Sequence, residues 1–461
     1  MSDAPQKLRF LDTALYGLAL GTGIRWIAVA AAVGPSSLSL WVLALVVFYL
    51  PLACATAVLS GRFEGEGGIY MWTRDSFGPL WGFLCGWSYW TAQFPYFAGI
   101  LYFLSGLVLA ALGGDPKDRL AYIAISVAIL AIVTGAQLLG MRFGKWLPNI
   151  GTTAGWIVFA VIVAMAVAIG MRGESATHFL SESYLPHVGF DTAILWGTLV
   201  FAYSGIEALG FLRNEVEGGM KTLLRVLVIV GAGSTIIYLL GTVSFLVVLP
   251  RTALSRLGGF PDALAQGLGH VGVAHLAPYV IGLFALGMLG QFTGWFGVAA
   301  RLPFAAGIDA FLPPLFARRS PKTGAPVAAI WLQSLLTLAM VLLSQAGASV
   351  GGAYDYLVAM GVLTAVVPYL FMFAAYLKIA PLAPGAQQWS PPGGARMNVI
   401  LGIVGLVSTL IAIACTLVPN ADEPHPLISV LKIAFSFAAI CAIGILFYGL
   451  ASLRPRKAAA E

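Results

Sequence analysis

The chain has 461 residues, 59% of them apolar and only 10% charged, with a mean hydropathy of +0.91. About a quarter of the residues in soluble domains are charged, so an ordinary globular protein is excluded and a polytopic membrane protein without a large soluble domain is the class that fits. The formal net charge of +6 is not read as a nucleic-acid footprint, because membrane proteins keep Lys and Arg in cytoplasmic loops to set their topology.

From the N-terminus, residues 1–10 are followed by no small-residue cleavage site after a short apolar core, so the first apolar run is expected to be retained. A helix needs about 20 residues to cross the hydrocarbon core. Apolar runs bounded by charged or Gly/Pro-rich breaks give twelve expected spans, at 11–33, 38–60, 79–111, 119–138, 146–171, 190–212, 223–249, 278–308, 326–347, 353–377, 397–418 and 427–452. Residues 61–78, with glycines running into Ile69-Tyr70-Met71-Trp72, read as a short re-entrant or surface segment packed under the bundle, and the connections 250–277 and 378–396 are too short for a separate domain. Cys54, Cys85, Cys415 and Cys441 fall in or beside apolar runs and read as free, buried thiols. The five histidines lie in connecting segments and form no ligand pair on one helix face, so neither a metal nor a cofactor is expected.

With the N-terminus placed in the cytoplasm, 18 of the 25 Lys and Arg fall on the inner side and 6 on the outer, with Arg25 left inside a span. The positive-inside rule then puts both termini in the cytoplasm of a multi-pass plasma or inner membrane protein. A cysteine at Lys7 and a reporter after Glu461 are expected to be cytoplasmic, and a cysteine at Lys117 external. Labelling of the Lys7 position by an impermeant reagent in intact cells would reverse the orientation.

The first and sixth spans carry a weak repeat. Thr22-Gly23-Ile24-Arg25 aligns with Ser204-Gly205-Ile206-Glu207 at an offset of 182 residues (207 − 25), which is five spans. An odd number of spans inverts the second unit, so the arithmetic is that of a five-plus-five inverted repeat, 11–171 and 190–377, followed by spans 11 and 12 at 397–452. Where Gly and a small hydroxyl residue let a helix unwind, freed N–H groups can bind a carboxylate and freed C=O groups an ammonium. An amino-acid zwitterion offers both. The alternative use of Gly21, Gly23 and Gly205 is close helix packing.

Five motifs in register resemble the amino acid-polyamine-organocation transporters: Gly21-Thr22-Gly23-Ile24, Glu66-Gly67-Gly68-Ile69-Tyr70, Gly86-Trp87-Ser88-Tyr89-Trp90, Phe201-Ala202-Tyr203-Ser204-Gly205-Ile206-Glu207, and Gly294-Trp295 with Ala300-Arg301. The resemblance runs from about residue 10 to 378 and implies the all-α LeuT-type fold, with helices 1 and 6 broken and alternating access of a bundle against a scaffold. It also implies that the backbone at Thr22, Gly23 and Ile24 holds the substrate carboxylate, within breaks that include Gly21 and Gly205. Carbonyls near Ala19, Phe201, Ala202 and Ser204 would hold the amino group, with Phe201 as an aromatic gate and Trp295 as a further barrier.

Arg25 and Glu207 are the ionisable residues well inside the expected spans, and such groups are functional candidates by default. Glu207 resembles a residue linked to proton-coupled gating in some family members, whereas Arg25 departs from the family's aromatic or aliphatic residue. On ideal helices the two lie about 13 Å apart along the membrane normal, which leaves direct pairing and separate roles both open. Gln93, Gln291 and Thr293 are weaker cavity candidates. The span-5 lysine that replaces sodium in some members is absent from 149–159; a sodium site using Thr293 stays open, with a proton favoured as coupling ion. An enzyme would need a nucleophile with a base, or paired acids, at one depth, and the sequence offers no His, no second acid and no Gly-x-Ser-x-Gly well inside the bilayer. A receptor or channel on the same scaffold is the reading from another class. The expected function is a secondary transporter for amino acids, neutral zwitterions first, by exchange or proton symport, with cationic amino acids or polyamines as the alternative substrates.

Overall fold

A computed structural model describes residues 8–63, 68–139, 146–180, 183–186, 189–211, 213–305, 308, 311–317, 319–345, 349–382, 388–418 and 426–453. The described residues are helical apart from their connections and a single parallel bridge between Leu8 and Val216. The helices are α1 Phe10–Gly21, α2 Trp26–Ala31, α3 Ser36–Arg62, α4 Gly68–Phe77, α5 Pro79–Thr91, α6 Gln93–Leu112, α7 Arg119–Leu138, α8 Trp146–Met171, α9 Phe190–Ala202, α10 Ala208–Phe211, α11 Gly219–Val248, α12 Gly259–His270, α13 Ala277–Ala299, α14 Val327–Ser344, α15 Val350–Ile379, α16 Gly394–Thr416 and α17 Pro426–Ser452.

Ten segments among the described residues are long and apolar enough to cross a membrane, with α5 and α6 forming one of them. Of the twelve runs expected from hydropathy, the two missing from that set are the first and the sixth, whose helices are interrupted. Small residues bring the other helices close. A Cβ added to Gly290 of α13 would stand 2.5 Å from the Leu147 carbonyl oxygen and 2.6 Å from Gly151 Cα of α8, so the two backbones touch where a larger residue could not fit. The core runs through α3, α6, α9, α11, α13 and α15, around Trp41, Tyr102, Tyr203, Tyr238 and Tyr376. Helix α17 lies at the periphery, with Ile433 and Gly444 as its buried residues.

Two connections gain local detail, and the expectation for the cysteines changes. The 250–277 connection contains α12, whose apolar residues at 260, 261, 263, 264, 267 and 268 follow helical spacing and pack inward. Phe260 stacks on Phe284 of α13 at 3.9 Å. Within 61–78, residues 68–77 form a short helix, with Tyr70, Trp72 and Thr73 buried against the bundle; Glu64 to Gly67 lie outside the described residues. Only Cys85 is fully buried. Cys54, Cys415 and Cys441 are half-buried, and all four are free thiols.

Candidate site at the interrupted helices

Helix α1 stops at Gly21, where Thr22 turns to extended backbone (φ −131°, ψ 110°), and the chain resumes helical form at Trp26. Helix α9 stops at Ala202 and the chain resumes at Ala208. Gly205 sits at φ +96°, a left-handed conformation that favours glycine. Gly23 is required for a different reason: a Cβ there would stand 2.5 Å from Cδ1 of the Trp26 indole. The freed backbone is satisfied from α11. The Tyr238 hydroxyl accepts from Gly23 N–H at 3.0 Å and lies 2.8 Å from the Ala202 carbonyl and 3.2 Å from that of Gly21, so one phenol serves both breaks. Tyr238 is itself held by stacking on Trp41 at 4.0 Å. Thr22 and Ser234 hydroxyls share a 2.8 Å hydrogen bond.

The two breaks face a cavity of about 700 Å³, counting its open mouth. Its walls are Leu20, Thr22, Gly23 and Trp26 from the first break, Phe201, Ala202, Ser204, Gly205 and Glu207 from the second, and side chains of α5, α6, α13 and α15. Glu207 is fully buried. Its carboxylate accepts from the Tyr89 hydroxyl at 2.9 Å and from Gly205 N–H at 3.0 Å, and the same N–H reaches the Tyr369 hydroxyl at 3.1 Å. A buried carboxylate needs such donors, since desolvation is otherwise prohibitive.

An aromatic layer closes one end. Phe201 meets Trp26 edge-on at 5.5 Å and Tyr96 at 5.5 Å. Arg25 lies beyond that layer and off the cavity wall, its guanidinium 4.0 Å from the Trp26 ring and 4.9 Å from that of Tyr96. The two halves of the first span differ in burial: all six residues of α2 are buried, whereas α1 buries only Thr13, Ala14, Gly17 and Gly21.

Of the residues singled out by sequence, Thr22, Gly23, Phe201, Ala202, Ser204, Gly205, Glu207 and Trp295 line this cavity, together with Gln93 and Gln291. Ala19, Gly21, Ile24 and Arg25 do not. Ala19 is exposed on α1 and Leu20 takes its place at the wall. Gly21 packs against Val230 and Ile206, and Ile24 is half-buried. Arg25 and Glu207 form no pair: each has its own surroundings, one aromatic and one hydrogen-bonded. Thr293 is buried in the α13 packing, its hydroxyl on the Leu289 carbonyl and its own carbonyl taken by Gln137. Sequence reasoning missed Trp26, Tyr96, Tyr238 and Tyr369. A tyrosine inside an apolar run is a usable signal, because its hydroxyl has to find a partner there.

A cavity walled by freed backbone, aromatic rings and one carboxylate at two interrupted helices, within a bundle of membrane-length helices, fits a membrane transport protein, and comparison with known proteins gives that class. A family model described as "Amino acid permease" matches residues 11–447, and the chain belongs to that family. An uncharacterized transporter of Legionella pneumophila is 23% identical over 92% of each chain. A probable agmatine/putrescine antiporter of Lactococcus lactis is 20% identical, covering 90% of this chain and 89% of the relative. A glutamate/gamma-aminobutyrate antiporter of the same organism is 23% identical, covering 85% and 81%.

Proposed function

We propose that the cavity between the two breaks is the substrate site of a secondary transporter for amino acids or related amines, working by alternating access in a five-plus-five inverted repeat. The carrying observation is that backbone freed at both breaks and the Glu207 carboxylate converge on one cavity. In this reading the substrate displaces the Tyr238 hydroxyl from Gly23 N–H and from the Ala202 carbonyl: Thr22 and Gly23 present backbone to its carboxylate, with Ile24 off the cavity wall, Ala202 and Ser204 face its amino group, and Phe201 with Trp26 forms the gate. The interrupted first and sixth helices complete a set of twelve spans, with both termini cytoplasmic by the charge distribution.

A neutral zwitterion is the favoured substrate, although one argument for it changes. Arg25 does not offset Glu207 inside the cavity, because it stands behind the aromatic layer. Neutral amino acids stay the first reading because the Glu207 carboxylate already takes one bond on each oxygen, from Tyr89 and from Gly205, which leaves room to meet a substrate ammonium without requiring a second cationic group. A cationic amino acid or polyamine is the second reading, supported by Glu207 lining the cavity and by the agmatine/putrescine relative. Exchange is supported by the two named antiporters among the relatives. A proton is the favoured coupling ion because Glu207 is a buried titratable group on the cavity wall; a sodium site using the Thr293 oxygen, whose lone pairs stay free while its proton is on Leu289, is the alternative.

Counterflow in proteoliposomes tests this. Preloaded neutral amino acid is expected to drive saturable, stereoselective uptake of the labelled compound, with and without sodium. Exchange of putrescine or arginine alone would move the assignment to the second reading, and no exchange by any amino acid or amine would overturn it.

A further inference from the structure

Three glutamines of the bundle serve as glue between helices. Gln137 of α7 donates to the Thr293 carbonyl of α13 at 2.8 Å, Gln333 of α14 to the Phe296 carbonyl of α13 at 2.9 Å, and Gln345, just after α14, to the Tyr102 hydroxyl of α6 at 2.6 Å. Joining two helices is the usual task of an amide inside a membrane bundle. Gln93 of α6 and Gln291 of α13 do not perform it. Gln93 donates one N–H to the Tyr89 carbonyl, four residues earlier, at 3.3 Å, and its oxygen accepts from none of the described residues. The Gln291 amide makes no hydrogen bond among the described residues. Both glutamines are half-buried, and both line the one cavity at the helix breaks.

Their place in that cavity bears on the side chain of a substrate. With freed backbone and Glu207 at the breaks, the wall from the other helices includes Ala92 and Gln93, Gln291 with Trp295 one turn further on, and Ala365 with Tyr369 one turn further on. An amino acid whose amino and carboxyl groups sit at the breaks turns its side chain to this wall. Each glutamine amide offers both a donor and an acceptor there. A side chain with only apolar atoms would take water from both amides and return no hydrogen bond. A carboxylate would meet no cation, since Glu207 is the one charged residue among the described lining residues, and would be repelled by it. A cation could use the amide oxygens but none of the N–H groups. A terminal carboxamide carries donor and acceptor together and no charge.

We propose that Gln93 and Gln291 form the side-chain subsite of this cavity and select a neutral amino acid that ends in a carboxamide, of the glutamine type. The inference rests on the transport reading above and extends its zwitterion site.

The test is counterflow in proteoliposomes, with labelled glutamine, glutamate and methionine each run against its own unlabelled pool. Methionine is a near-isostere of glutamine without the amide, and glutamate is one with a charge. For the wild type, the half-saturating concentration of glutamine is expected to lie at least about tenfold below those of the other two, as the loss of hydrogen bonds at a desolvated site implies. Gln291→Met and Gln93→Met each keep the side-chain length and remove one amide. Each is expected to narrow the ratio of methionine to glutamine half-saturation by roughly threefold or more. A merely structural defect would slow uptake of both compounds and leave that ratio alone. Equal half-saturation of glutamine and methionine in the wild type, or a full wild-type ratio in either variant, would overturn the subsite. The wild-type comparison decides the matter even where a variant fails to fold. Exchange of neutral amino acids without this discrimination sinks the subsite and leaves the transport reading standing, whereas no exchange of any amino acid or amine sinks both.

Discussion

Leucine at position 205 or 23 is expected to reduce uptake to that of empty vesicles while the protein still elutes as a folded species in detergent. The two sites fail for different reasons. At Gly205 the backbone sits at φ +96°, so any side chain carries about 1–3 kcal/mol of strain. A Cβ there meets the Leu20 carbonyl oxygen at 3.4 Å, and the rest of a leucine would project into the space where the breaks converge. At Gly23 no such strain applies. A Cβ would meet Cδ1 of Trp26 at 2.5 Å, which forces the indole away from Phe201 and opens the aromatic layer. Gly205→Ala separates strain from bulk and should retain part of the activity. Wild-type rates in both leucine variants would make these glycines simple packing residues and misplace the site.

Glu207→Gln is expected to flatten the dependence of uptake rate on pH. An ionised carboxylate only accepts, and here it takes one hydrogen bond from Tyr89 and one from Gly205. Glutamine offers a single acceptor oxygen and a donor amide: the oxygen can keep Gly205 N–H, while the amide donates to the Tyr89 hydroxyl, which then turns its own proton away and loses an acceptor, at a cost of about 1–3 kcal/mol. Protonation of Glu207 forces the same reversal at Tyr89. Acidification therefore reorganises the α5 contact in the wild type, whereas the glutamine variant has that arrangement at every pH. Initial rates across the neutral and mildly acidic range check this. A glutamine variant with the wild-type profile would remove Glu207 from coupling.

How far the sequence carried depended on how local each feature was. The breaks were legible because Gly-Thr-Gly-Ile and Ser-Gly-Ile-Glu interrupt apolar runs at matched spacing, and local backbone chemistry decides such interruptions. Helix α12 was hidden by its length, since 12 residues with one apolar face make too weak a signal to separate from a loop. The exchange of Ala19 for Leu20 at the wall is a matter of how α1 is rotated against α11, which no residue in α1 determines alone. Arg25 and Glu207 were visible as charges, but their partners were not. Stacking on Tyr96 and bonding to Tyr89 depend on α5 and α6 lying beside both breaks, a tertiary fact. Thr293 was visible as a hydroxyl in an apolar run, but its donation to the Leu289 carbonyl and the bond from Gln137 to its own carbonyl depend on the packing of α13.

The bridge at Leu8 has a mechanical consequence. Leu8 donates to the Glu215 carbonyl at 2.8 Å and accepts from Glu217 N–H at 2.9 Å, joining the chain just before α1 to the chain just after α10. At the other end, Tyr238 pins both breaks to α11. The two half-segments between these points are therefore linked at hinge and tip, as in a closed linkage, and neither can tilt without dragging the other. Helix α1 is about 18 Å long at 1.5 Å per residue, so a 15° swing about its break would carry the Leu8 end about 5 Å. That travel exceeds the width of a water molecule, and the bridge obliges the segment at 215–217 to travel with it as one moving piece.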